Sequence, residues 1–113
     1  MATQIRQQDN VTILEPSGRI VGPAVSELRQ TILPDIEAAE TPRILINFAN
    51  VNMMDSSGLG TLMEARTIAS RKDGRIAVIN VGKHIKNLLV LSRIVSLFEH
   101  YDSEEEAISA LST

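Results

Sequence analysis

At 113 residues the chain is long enough to bury one core and too short for two independent domains, so a single domain over residues 1–113 is expected. Hydrophobic residues make up 43% of it with two Phe, one Tyr and no Trp, a composition that excludes disorder and predicts an aliphatic core. The net charge of −3 argues against direct binding to nucleic acid, and the lack of cysteine excludes disulfides, thiolate metal ligands and a cysteine nucleophile.

The first predicted element is a β-hairpin. Residues 3–8 and 11–15 have strand length, and the second segment alternates apolar and polar side chains as a half-buried strand does. Asp9 and Asn10 lie between the two segments, where a tight turn is needed. We therefore expect two antiparallel strands at the start of the fold.

An amphipathic helix follows Gly22. Pro23 occupies the first helical turn, where a missing backbone N–H is tolerated, and apolar side chains then recur every three or four residues. Pro34 removes a backbone donor from the interior of this pattern, so we expect a kink or a break near Leu33. The apolar positions are Val25, Leu28, Ile32 and Ile36.

The middle of the chain predicts a buried strand, a helix and a second strand. Residues 43–48 form a dense apolar run typical of a strand covered on both faces, which places it at the centre of a parallel sheet. Helical spacing continues from Leu59 to Ala69 and ends at residues 72–74. Residues 75–81 have the composition of the next strand.

The last part of the chain predicts a helix around Ile85 and Leu89, a short strand within residues 94–98, and a closing helix. Ser103, with Glu106 three residues later, has the pattern of a capping box. The order is therefore β-β-α-β-α-β-α-(β)-α. This order predicts an α/β domain with a mixed, mostly parallel β-sheet, an N-terminal β-hairpin and about four helices.

The segment from Asp55 to Gly60 is the candidate functional site. It follows the predicted central strand and opens the next helix, the place at which parallel sheets present ligand-binding and reactive groups. Unpaired backbone N–H groups and the positive end of the helix dipole favour an anion there, such as a phosphoserine. Gly58 and Gly60 let the backbone turn tightly, while Leu59 anchors the first turn. On spacing alone, a purely structural helix cap accounts for the same residues equally well.

Residues 53–60, Met-Met-Asp-Ser-Ser-Gly-Leu-Gly, resemble the signature of the anti-sigma factor antagonists of the STAS domain family. Residues 17–20 and 97–107 resemble further parts of the same family. The β-β-α-β-α order also matches its fold. The resemblance covers essentially the whole chain and implies a STAS-like single domain.

The resemblance implies a partner-switching cycle. An unphosphorylated family member binds an anti-sigma factor that is also a serine kinase, phosphorylation breaks this complex, and a serine phosphatase of the metal-dependent type reverses the modification. By position in the motif the phosphorylated residue is Ser56, with Ser57 as the second candidate. The implied phosphorylation-loop and partner-binding residues are Met54, Asp55, Ser57, Gly58, Leu59 and Gly60.

Three residues beside the motif need separate interpretation. Family members often carry an acidic residue where this chain has Val21, after residues 18–20 of the second strand, and this departure bears on which kinase acts and how efficiently.

Adjacent strand residues face opposite ways, so of Met53 and Met54 one is expected to pack inward and the other to be available to a partner. Simple core or loop filling by both is the alternative.

Enzymatic functions fit the sequence poorly. A serine hydrolase needs a base and an orienting acid near its nucleophile, and neither His84 nor His100 lies in a recognisable context. The acidic run at residues 104–106 fits a solvated first helical turn better than a metal site. We therefore expect no enzymatic activity, no metal and no cofactor.

Two functional hypotheses follow. The first is the phosphorylation-controlled interaction switch, and the alternative is a STAS scaffold or sensor module that regulates a non-sigma partner. Because the first residues lack the apolar core of a signal peptide and no apolar run approaches the ~18 residues that span a bilayer, we expect a cytoplasmic protein without membrane contact. The oligomeric state is left open.

Overall fold

The computed structural model describes residues 3–113, in which strands and helices alternate after an opening hairpin. No helix in this range is long and apolar enough to cross a membrane. The strands are β1 (Thr3–Gln8), β2 (Val11–Pro16), β3 (Gly18–Ile20), β4 (Arg43–Asn47), β5 (Val51–Met54), β6 (Arg75–Ile79) and β7 (Glu99–His100). The helices are α1 (Pro23–Ala38), α2 (Ser56–Arg71), α3 (Lys83–Leu91) and α4 (Glu104–Leu111), with a short 3-10 helix at Val95–Leu97.

The main sheet has five strands in the order β1-β2-β4-β6-β7. The predicted hairpin is confirmed: β1 and β2 are antiparallel, and Asp9 and Asn10 between them have φ angles of 52° and 67°, as a tight two-residue turn requires. The other three strand pairs are parallel. The strand predicted to be central, β4, lies in the middle of this mixed sheet.

Helices cover both faces of the main sheet. Helices α1, α2 and α3 share one core with Ile44 and Ile46 of β4, whereas Leu45, between them, faces the core under α4. Alternate side chains of one buried strand thus enter two separate cores. The core under α4 consists of Val11, Ile13, Leu45, Ala77, Ile79, Ala107, Ile108 and Leu111.

Helix α4 is capped at its N-terminal end and hydrogen-bonded to the sheet at its C-terminal end. The Ser103 hydroxyl accepts a hydrogen bond from the backbone N–H of Glu106 at 3.1 Å, which confirms the predicted N-terminal cap. At the other end, guanidinium groups of Arg43 and Arg75 donate to carbonyl oxygens of the last turn at 2.8 and 3.0 Å. These bonds satisfy carbonyl groups that have no partner within a helix.

A second, two-stranded sheet was not predicted. Strands β3 and β5 pair in parallel, with Arg19 opposite Met53 and Ile20 opposite Met54. With three and four residues, each strand is too short for an alternating pattern to distinguish it from a loop. Two expectations are corrected: residues 18–20 do not continue the second strand, and the candidate site follows β5 instead of following the central strand directly.

Of the expected kink or break near Leu33, the break is wrong, because helix α1 runs unbroken through Pro34. Leu33 and Ile36, on either side of the proline, are buried against the sheet, while Pro34 itself is exposed. Packing of the apolar face therefore outweighs the hydrogen bond that the proline cannot donate.

The region after β6 differs from the prediction in two places. Strand β6 ends at Ile79, two residues early, because Asn80 has a φ of 55°, outside strand geometry. Residues 94–98 contain the 3-10 helix, in which the backbone N–H of Leu97 donates to the Ile94 carbonyl at 3.0 Å. The last strand, β7, comes directly after this segment.

Gly58 lies where α2 approaches the small sheet most closely. A Cβ atom at this position would lie 2.6 Å from Cγ of Met54, and 3.1 Å from both Cγ2 and the backbone oxygen of Ile20. The Met54 side chain can move, but the Ile20 carbonyl belongs to β3 and is held by its neighbours. Glycine is therefore required by packing.

We expect Gly58→Ala to lower the free energy of unfolding by about 1–3 kcal/mol, because the added methyl group overpacks this contact. Gly60→Ala is the matched control, since a Cβ there meets nothing within 4 Å. It should raise the free energy of unfolding by about 0.5–1 kcal/mol through higher helix propensity. Urea unfolding of both variants measures the difference, and equal stabilities would contradict the packing argument.

Pro34→Ala should raise the free energy of unfolding by about 2 kcal/mol, since an interior proline costs a helix about 3 kcal/mol and its loss frees the unfolded chain by up to about 1 kcal/mol. Pro23→Ala provides the control, because Pro23 lies in the first turn and blocks no internal hydrogen bond. Thermal or urea unfolding tests the pair. A Pro34→Ala protein no more stable than Pro23→Ala would show that α1 has no penalty to relieve.

Candidate functional site

The candidate site is the junction between β5 and α2. Strand β5 ends at Met54, Asp55 is the N-cap in an extended conformation, and α2 begins at Ser56. The Asp55 backbone N–H donates to the Ile20 carbonyl at 3.3 Å, which ties the helix start to β3. The two short strands therefore position the first turn of α2.

The Asp55 carboxylate organises this first turn. Its Oδ1 atom accepts hydrogen bonds from the Gly58 backbone N–H at 3.0 Å and from the Ser57 hydroxyl at 2.7 Å. The Gly58 N–H lowers the pKa of Asp55 most, the Ser57 hydroxyl comes next, burial opposes both, and the N–H groups of Gly22 and Ser57 add to the lowering. Asp55 is thus ionised at neutral pH and caps the positive end of the helix.

Ser56 differs from its neighbour in hydrogen bonding. Both serine side chains are exposed, but the Ser56 hydroxyl makes no hydrogen bond to any part of residues 3–113, whereas Ser57 donates to Asp55. Ser56 is the first residue of α2, where backbone N–H groups lack intrahelical partners. The structure thus presents one uncommitted hydroxyl beside one fixed carboxylate.

Other predicted site residues lie beneath this surface. Met54 and Leu59 are 2% and 7% exposed and belong to the core shared with α1, and Gly58 is buried at the close approach described above. These three residues support the loop from the core side and have little exposed surface for contact with a partner. Gly60 is exposed, one turn into the helix.

Two exposed residues, Met53 and Arg19, lie beside the loop, and only Met53 was considered from the sequence. Met53 is 37% exposed while Met54 packs inward, so the expectation that the two methionines face opposite ways is confirmed. The Arg19 guanidinium donates to the Met53 sulfur at 3.2 Å across the β3–β5 pair. The position of Arg19 was not predicted because the pairing of β3 with β5 was not predicted. The register of that pair places Arg19 next to the segment preceding Ser56.

The remaining candidates lie apart from the serines in the hydrogen-bond network. His84 is exposed on α3, and His100 on β7 has its Nε2 2.6 Å from the Val95 carbonyl oxygen. Neither imidazole is hydrogen-bonded to Ser56 or Ser57, so no serine–histidine pair is formed. Within residues 3–113 no group of three or more His, Cys, Asp or Glu side chains is placed to hold a metal ion.

Comparisons with known proteins agree with the fold. The STAS domain profile matches residues 2–107. The anti-sigma F factor antagonist of Paenibacillus polymyxa is 26% identical over 108 residues, covering 96% of this chain and 92% of the relative. The anti-sigma factor antagonist SpoIIAA in its unphosphorylated form has a TM-score of 0.81 at 24% identity, covering 96% of this chain and 95% of its own. The Bacillus cell fate determinant SpoIIAA in the phosphorylated form has a TM-score of 0.76 at 25% identity, covering 96% and 98%.

The family profile spans nearly the whole chain, and the solved relatives superpose over almost their full length. This chain therefore belongs to the STAS domain family.

Proposed function

We propose that this chain is an anti-sigma factor antagonist that works as a phosphorylation-controlled switch. Unphosphorylated, it binds an anti-sigma factor that is also a serine kinase, and phosphorylation of Ser56 releases it. The observation that carries the proposal is the exposed, unbonded Ser56 hydroxyl at the first position of α2. The names of the Paenibacillus polymyxa relative and of the two SpoIIAA forms support the same function.

Access by a kinase follows from the position of Ser56. A kinase must bring the γ-phosphate of ATP in line with the acceptor hydroxyl, which requires an exposed side chain on backbone of defined direction. Ser56 meets both requirements, because the Asp55 cap and the β3–β5 pair fix the backbone around it.

The charge of the phosphate accounts for release. Phosphorylation adds about −1.5 to −2 charges next to the ionised Asp55 carboxylate. In a desolvated interface this charge is repulsive unless the partner supplies a basic group, and a loss of about 3 kcal/mol weakens binding more than a hundredfold. No refolding of α2 is needed for the switch.

The exposed surface around Ser56 supplies the contacts of the unphosphorylated complex. Met53 offers a flexible apolar side chain, and Arg19 forms no ion pair within residues 3–113. The partner surface therefore combines an apolar patch with acidic groups. Val21, in place of the acidic residue common in the family, changes the charge of this surface and so selects among kinases. A serine phosphatase of the metal-dependent type restores the unphosphorylated form.

Phosphorylation is tested by incubating the purified chain with ATP and each anti-sigma serine kinase of the source organism, then locating phosphate by tandem mass spectrometry. We expect one phosphate on Ser56 and none on Ser56→Ala. A chain that no such kinase labels would contradict the switch and favour the scaffold or sensor function.

Binding is tested with two variants of the acceptor and the labelling kinase. Ser56→Ala should bind like the unmodified chain, whereas Ser56→Asp should bind at least ~10-fold more weakly, because even one added charge is repulsive in the interface. Isothermal titration calorimetry gives both dissociation constants. Equal affinities would exclude phosphate charge as the control, and both variants should unfold within ~0.5 kcal/mol of the unmodified chain.

A further inference from the structure

Two neighbouring serines compete as acceptors at the start of α2. Ser56 and Ser57 are both exposed, so exposure does not distinguish them. Hydrogen bonding does, because the Ser57 hydroxyl donates to Oδ1 of Asp55 at 2.7 Å and the Ser56 hydroxyl has no partner within residues 3–113. A hydroxyl bound to an ionised carboxylate is held more strongly than one bound to a neutral group.

We infer that Asp55 determines which serine is phosphorylated, by engaging the Ser57 hydroxyl and leaving the Ser56 hydroxyl as the acceptor. The inference rests on the proposed function, since it concerns the regulation of the same site. Asp55 acts here as a specificity-determining residue of the substrate loop.

The chemistry of phosphoryl transfer explains the selection. The acceptor oxygen forms a bond to the γ-phosphorus of ATP, the bond from that phosphorus to the β,γ-bridging oxygen breaks, ADP leaves, and the hydroxyl proton passes to a base of the kinase. Ser56 undergoes these changes without losing an internal contact. Ser57 must first give up its bond to Asp55, and its phosphate would then lie against the carboxylate, which places two negative groups in contact.

The same contact carries an opposite possibility, in which the Asp55 carboxylate removes the proton of Ser57 and activates it. Two observations weigh against this role. The Oδ1 atom that contacts Ser57 also accepts a hydrogen bond from the Gly58 backbone N–H, and this second bond makes the oxygen a poorer proton acceptor. These donors also lower the pKa of Asp55, which makes the carboxylate a weaker base.

The kinase that labels the unmodified chain tests the selection directly. Ser56→Ala should take phosphate no faster than the background rate, because Ser57 remains bound to Asp55. The double variant Asp55→Ala/Ser56→Ala should take phosphate on Ser57 at a rate at least ~10-fold above that of Ser56→Ala, since loss of a charge-assisted hydrogen bond frees the hydroxyl. Asp55→Asn/Ser56→Ala is the control between these two, and its rate of Ser57 labelling should be intermediate. An amide oxygen still accepts the hydrogen bond from Ser57, but without the charge.

A second measurement needs no kinase. The pKa of the Asp55 carboxyl, followed by NMR as the pH is lowered, should rise in Ser57→Ala, stay unchanged in Ser56→Ala and return in Ser57→Thr, which restores the hydroxyl. A purely structural role of the serines in helix α2 would not produce this order. An Asp55 pKa unchanged by Ser57→Ala would overturn the inference even if the Asp55 variants are poor kinase substrates.

The outcomes separate this inference from the proposed function. No labelling of the unmodified chain by any kinase contradicts the proposed function, while the NMR titration still decides whether Asp55 engages Ser57. Phosphate on Ser57 of the unmodified chain overturns the inference. The inference is also overturned if the kinase labels Ser56 in Asp55→Ala but does not label Ser57 in Asp55→Ala/Ser56→Ala.

Discussion

The capping of α2 by Asp55 is the interaction on which the candidate site depends. One carboxylate oxygen binds both the Gly58 backbone N–H and the Ser57 hydroxyl, and the backbone of the same residue is tied to Ile20 in β3. The helix start, the small sheet and the Ser57 side chain are therefore fixed relative to one another by a single residue. Because both donors bind the ionised carboxylate more strongly than the protonated acid, the lowered pKa of Asp55 and the geometry of the loop have the same cause.

Much of the fold was predictable because local sequence patterns specify it. The helical spacing of α1 and α2, the turn at Asp9 and Asn10, and the apolar run of β4 are each specified locally and agree with the packing. The β3–β5 sheet was not predictable in this way. Its strands are short, and their pairing depends on a contact between distant parts of the chain. The continuity of α1 through Pro34 likewise depends on packing against the sheet, which no local rule describes.

The candidate site was also predictable only where local sequence specifies it. The motif predicted a helix start with Asp55 in the capping position, since this follows from residue type and position, and the structure agrees. It did not distinguish the two serines physically, because that difference is a matter of side-chain direction and one 2.7 Å contact. Nor did it show which methionine faces outward or that Arg19 lies beside Met53, since both depend on the register of strands that were not recognised.

The separation of the two cores has a practical consequence. Leu45 contacts α4 while its neighbours Ile44 and Ile46 contact the helices on the side of the serine loop, so the two surfaces of the sheet are built from different side chains. Helix α4 is held by its own cap and by the guanidinium groups of Arg43 and Arg75. Its position therefore does not depend on the helices on the other face of the sheet. A fluorophore or surface tether attached on α4 would lie behind the sheet and leave the opposite surface open for measurements of binding to candidate partners.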